Sequence, residues 1–200
     1  MALPEVKLTD PRSLRGYAHP LRMALMGLLR QEGPMTATQA AERLHESVPS
    51  CSFHLRQLAK YGLAERADAA DARERPWRAT ALTTSWAEVS DDPATQAATD
   101  QLNAVILDNY RQRAQTFLAG RASEPPQWRE VTGFGDSLVY VTAPELAELV
   151  RRMDALVAEF DERLTDPSTR PEGARGIALI HMTLPTGPAP ERPDPDDPGR

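Results

Sequence analysis

Between Ser50 and Tyr61 the side chains sort by chemistry at helical spacing. Cys51, Leu55 and Leu58 form an apolar row, and Ser50, Ser52, Phe53, Arg56 and Gln57 lie on the opposite side. That second set suits one kind of work. A guanidinium can bridge a guanine edge, a carboxamide an adenine edge, and a phenyl ring can touch a thymine methyl. The plainer alternative is that these residues are merely solvated, or that Phe53 packs under the hairpin that follows. Upstream, Thr36, Thr38 and Gln39 open a shorter periodic segment, where side chains and unpaired backbone N–H groups can hold phosphate. Thr36 is equally suited to be a simple N-cap. Downstream, Arg73, Arg75 and Arg78 surround Trp77. Those arginines can reach phosphates or a minor groove, or can simply keep an edge strand soluble. Trp77 is expected to pack rather than to intercalate.

Such residues need elements to aim them. Ala37–His45 reads as a helix with Ala40, Ala41 and Leu44 on its apolar face, and Ser50–Tyr61 reads as a second helix. Glu46-Ser47-Val48-Pro49 lies between them, with Pro49 as punctuation. Gly62 is expected to give the left-handed cap that ends the second helix, with Leu63 folding back onto the core. Strands over Leu63–Arg66 and Pro76–Leu82 would form a hairpin carrying the arginines. A helix–turn–helix with a basic hairpin behind it is the outline of a winged helix, and its second helix has the width to enter a major groove.

The segment Leu14–Leu82 resembles the winged-helix domain of ArsR-like bacterial transcriptional repressors. It contains AHPLRMALMGLL, similar to that family's opening helix. It then shows SxHLxxLxxxGL as Ser52, His54, Leu55, Leu58, Gly62 and Leu63, with Phe53 in the variable place. The resemblance implies a homodimer that binds double-stranded DNA at a near-palindromic operator and represses. It does not imply metal sensing. The family's metal sensors carry paired cysteines on the first helix of the pair, or Asp/His sets on a terminal helix. Here the matching helix is ATQAAERLH, and the only thiol, Cys51, falls on an apolar row where a small buried residue is expected. His19, His45, His54 and His181 are scattered without ligand spacing. No metal and no cofactor is expected.

Composition narrows the class further. A chain of 200 residues with 40% hydrophobic and 26% charged residues is long enough for one large or two small cores. No apolar run approaches a membrane span, and the first residues lack the apolar region of a signal peptide. One cysteine excludes an internal disulfide framework and fits a reducing compartment, so a cytoplasmic location is expected. The net charge of −6 is unevenly placed: residues 1–85 carry +3, and residues 86–200 carry −9. The positive half is the one with the two short helices, and only a local basic face is needed against phosphates. No nucleophile elbow, zinc-protease helix or phosphate-binding glycine loop is present, so an enzyme is not expected.

The fold class expected is mainly α with a small β component (α+β). Residues 1–11 read as a loose arm, and residues 12–90 as the winged helix–turn–helix domain. Within that domain, helices Ser13–Ala18 and Pro20–Gln31 are split at His19-Pro20. Residues 91–184 read as a dimerisation or effector region. A long helix over Ala94–Ala119 is its candidate dimer contact, with packing on the first two helices as the alternative. A C-terminal β–α–β unit would follow: strands Leu138–Thr142 and Gly176–Leu184 around a helix opened by a capping box at Thr142 and Glu145 and running to about Leu164. A small effector between Tyr140, Met153 and Phe160 is one use of that unit; a plain core is the preferred one. Residues 185–200, with six prolines and four acids, read as a disordered tail. The competing function is a winged helix used as a protein-interaction module with DNA binding lost, which the acidic second half favours and Arg56, Gln57 and the wing arginines oppose.

Overall fold

Prolines and short polar side chains set the helix starts. The structure, a computed structural model, describes residues 5–67 and 75–188. Strand β1 (Glu5–Leu8) is followed by α1 (Pro11–Tyr17), whose first turn is held by Asp10 accepting from the N–H groups of Arg12 and Ser13. Helix α2 (Pro20–Glu32) begins at Pro20, where the missing N–H costs nothing, and His19 Nδ1 accepts from the Leu21 N–H at 3.1 Å. Helices α3 (Ala37–Leu44) and α4 (Val48–Lys60) follow, then strands β2 (Ala64–Arg66), β3 (Trp77–Ala79) and β4 (Thr83–Trp86). Asp92 caps the long α5 (Pro93–Gly120), and α6 (Pro126–Val131), α7 (Ala143–Ala158) and α8 (Glu162–Thr165) complete the series. The α+β class expected from the sequence is the one observed.

One core lies among the first five helices. Leu14, Leu25, Met26, Leu55, Leu58 and Leu63 are fully buried there, and Leu102 of α5 joins them. Burying each such leucine or methionine is worth about 1.5–3 kcal/mol. The first half of α5 packs along α1 through Ala98, Thr99, Leu102 and Ile106, which are all buried. Tyr110 still packs against this core, and beyond it the helix leaves; Leu107 and Leu118 are exposed.

Two departures from the sequence expectation concern strands. The segment expected as a loose arm contributes β1, which pairs in parallel with β4 from Glu5↔Thr83 to Leu8↔Trp86. Leu8 is buried as a result, an anchor that its near neighbours in sequence do not reveal. Conversely, Leu138–Thr142 and Gly176–Leu184 form no strands. Among the described residues no backbone–backbone hydrogen bond involves 133–141 or 175–188. β-branched composition raises strand propensity, but a strand exists only against another edge, and the protomer offers none there. Helix α7 does form, with the expected reciprocal bonds between Thr142 and Glu145, yet it ends at Ala158 and buries no residue.

Candidate nucleic-acid interface

Helices α3 and α4 meet through a turn of His45, Glu46 and Ser47. His45 is left-handed at φ 54°, a conformation that histidine visits more readily than most non-glycine residues. Its N–H closes α3 on the Ala41 carbonyl, and Ser47 Oγ accepts from the Ser50 N–H at 3.3 Å to open α4. Helix α4 thus begins at Val48, and Pro49 sits inside its first turn rather than between the helices. The early start is allowed because first-turn N–H groups need no intrahelical acceptor. The far end closes on Gly62 at φ 70°, with Leu63 N–H bonded to Leu58 O and Gly62 N–H to Ala59 O, a paired C-terminal cap. Between these caps, Cys51, Leu55 and Leu58 are buried as their spacing required.

The outer face of α4 presents the expected side chains to solvent. Phe53 is 49% exposed, so it does not pack under the hairpin; it meets only the edge of His54, with ring centroids 5.1 Å apart. Arg56 is exposed and donates to Ser52 Oγ at 2.8 Å, one turn back. Ser50 and Gln57 are half-buried beside them. Lys60, exposed one turn beyond Arg56, extends the same face and was not among the sequence candidates.

On α3, Thr38 is exposed. Thr36 and Gln39 are instead committed to the capping box: Gln39 N–H donates to Thr36 Oγ1 at 3.2 Å, and Thr36 N–H donates to Gln39 Oε1 at 2.8 Å. Of the two uses weighed for Thr36, the cap is the one the geometry displays.

The hairpin is shorter than expected, with Ala64↔Ala79, Glu65↔Arg78 and Arg66↔Trp77 as partners. Trp77 is buried, tied to Met35 by an isolated bridge. Arg78 forms an ion pair with Glu65 at 2.7 Å, so its charge is already balanced in the free protein. Arg75 is exposed, and Arg73 lies outside the described residues. Arg66 is the residue that sequence reasoning missed. Its guanidinium stacks on the Trp77 ring at 3.8 Å and donates to the Arg75 carbonyl. Burial, then the neighbouring charges of Arg75 and Arg56, lower its pKa. Arg66 and Arg75 thus lie together on the hairpin, and Arg56 is exposed on α4.

His54 faces inward from α4 and stacks against His19, with ring centroids 4.3 Å apart. Burial, followed by the nearby Arg22 charge, holds the His19 pKa below its usual range. For His54, burial is followed by His19 and Arg22. Both rings serve packing. The effector position weighed between Tyr140, Met153 and Phe160 is not formed: Tyr140 is 94% exposed and Phe160 52%, so these residues enclose nothing.

Residues 17–67 match the family model of a helix-turn-helix domain. This part of the chain is a helix–turn–helix domain. The match begins at Tyr17, at the end of α1, and stops just past β2, so the helix–turn–helix domain is matched without β3, β4 or α5. No curated protein matches the chain.

Proposed function

We propose that the chain is a sequence-specific DNA-binding transcriptional regulator of the ArsR-like winged-helix type, acting as a homodimeric repressor on a near-palindromic operator. The observation that carries this reading is the exposed outer face of α4, with Phe53 and Arg56 one turn apart, in a domain whose hairpin holds Arg66 on the Trp77 ring and leaves Arg75 exposed. α4 supplies groups that read base edges, and the hairpin supplies charge for the flanking phosphates. Thr38 stands exposed in the first turn of α3, where a phosphate contact would orient the domain.

The dimer half of the proposal rests on a different region. Leu107, Phe134, Val139, Leu156 and Leu179 are all exposed, and nothing among the described residues covers α7. Exposed apolar area on that scale marks an interaction surface. A two-fold assembly would cover it in both copies and would match the symmetry of a palindromic site. The direct test is filter binding of the full chain to genomic fragments and to random duplex at several salt concentrations. The reading requires a preferred fragment. Equal, weak retention of all fragments would favour the protein-interaction alternative.

A further inference from the structure

A cleft of about 540 Å³ opens between α2, β4 and the middle of α5, away from the outer face of α4. Its size lies within the range of small-molecule sites. Its lining is unusual for so acidic a chain. Arg30 and Arg113 both face it, and among the described residues no aspartate or glutamate does. Tyr17, Trp86 and Tyr110 supply ring surface, and Asn109 and Thr84 supply further polar groups.

Arg30 is the informative residue. Its Nε donates to the Ala81 carbonyl at 3.0 Å and its Nη2 to Thr84 Oγ1 at 2.6 Å. Among the described residues it has no carboxylate partner, although a half-buried cation ordinarily acquires one. Tyr17 lines the cleft as well, but burial raises its pKa, so it stays a neutral phenol and supplies no counter-charge. The protein therefore fixes the direction of this guanidinium without neutralising it.

Gly27 offers a place from which the same cleft can be filled. It lies within α2, where glycine weakens a helix, and it lines the cleft. A Cβ at this position would meet nothing within 4 Å, so no steric demand of the protomer explains the glycine. A longer side chain grown from this position would have open space to enter the cleft.

We propose that this cleft binds a small organic anion, a carboxylate carried on a flat apolar body, with Arg30 and Arg113 holding the carboxylate and the Trp86 and Tyr110 rings holding the body. Charge-assisted bonds to two guanidiniums fix orientation, and the rings supply the burial. The occupant would touch α2 of the helix–turn–helix domain and α5 at once, so its binding energy would bear on their relative placement.

Calorimetric titration of the full chain with 2-naphthoate tests the site, with 2-naphthamide as the neutral control of the same shape. Because no DNA is present, failure here is separate from failure of the DNA-binding reading. Saturable binding of one naphthoate per chain is expected, with the amide about tenfold weaker or worse. Arg113→Ala, on an exposed side chain, should weaken naphthoate by about tenfold. Gly27→Leu should abolish binding while the melting temperature is kept or raised, which separates filling of the cleft from unfolding. Equal response to acid and amide, unaltered binding by Gly27→Leu, or no saturation up to about 1 mM would overturn the proposal. So would a Gly27→Leu chain that loses self-association while the parent shows no anion response, since a second copy would then be the occupant.

Discussion

Arg56 and Arg75 lie on adjacent elements but are asked to do different things. Arg56 is tethered to Ser52 by a bond that costs little to exchange for a base edge. Arg56→Ala should cost about 1–3 kcal/mol on a preferred site and relax preference at one position, as should Gln57→Ala. Arg75→Ala should instead weaken specific and random duplex alike and flatten the salt slope by about one unit. Arg78→Ala should do less than Arg75→Ala, because Glu65 already balances Arg78. Filter binding with both DNA types reads all four variants; four parental curves would remove α4 and the hairpin from the interface. The imidazole pair gives a pH prediction. His19 and His54 are both lowered from the ordinary histidine value, chiefly by burial, so the unfolded chain binds protons more readily than the folded one. Their contribution is complete above the unfolded value near 6.5 and is lost as pH falls through that value toward the folded ones. Arg22 adds to the effect and Glu46 opposes it. Urea midpoints should therefore drop between neutral and mildly acid pH, and His54→Gln should shrink the drop.

At the scale of elements, what was legible in the sequence was what local chemistry decides. Pro20, Asp92 and Thr142 mark helix starts because their side chains act within one turn. Gly62 marks an end because its positive φ suits glycine best. These assignments are testable as stability. Thr36→Ala, which breaks the capping box, should cost about 1 kcal/mol, and Gly62→Ala about 1–2 kcal/mol, by chemical denaturation. A Gly62→Ala chain as stable as the parent would mean that the turn re-forms without its left-handed residue. Distant pairings were not legible. β1 meets β4 across most of the domain, and neither tetrapeptide names the other. Arg66 earned no notice because its place depends on the hairpin register that sets it against Trp77. The pairing of Arg78 is hidden for the same reason, since Glu65 becomes its partner only across the ladder. In 138–142 and 176–184 the composition favours strands, but composition cannot supply a missing edge.

The whole molecule divides into a half that is closed on itself and a half that is not. Every residue buried in the described chain lies at or before Ile106, while the second half carries an exposed apolar series from Leu107 to Leu184. A protomer built this way should not persist alone. Light scattering at micromolar concentration should give about twice the 22.1 kDa chain mass. Leu156→Asp, placed on α7 outside the domain core, should shift the mass toward one chain without unfolding the first half. A monomeric parent that still bound a palindromic site tightly would overturn the assembly.

Cys51 carries a practical consequence of the way α4 is seated. It is the chain's one thiol and is fully buried against the core, with burial as the main reason its pKa is raised. A maleimide or disulfide reagent can reach it only when α4 lifts away, so labelling kinetics in the unmodified protein time that opening event. No engineered reporter is needed. Comparing labelling rates with and without duplex DNA would show whether a bound helix lifts less often, in seconds or hours rather than in affinities.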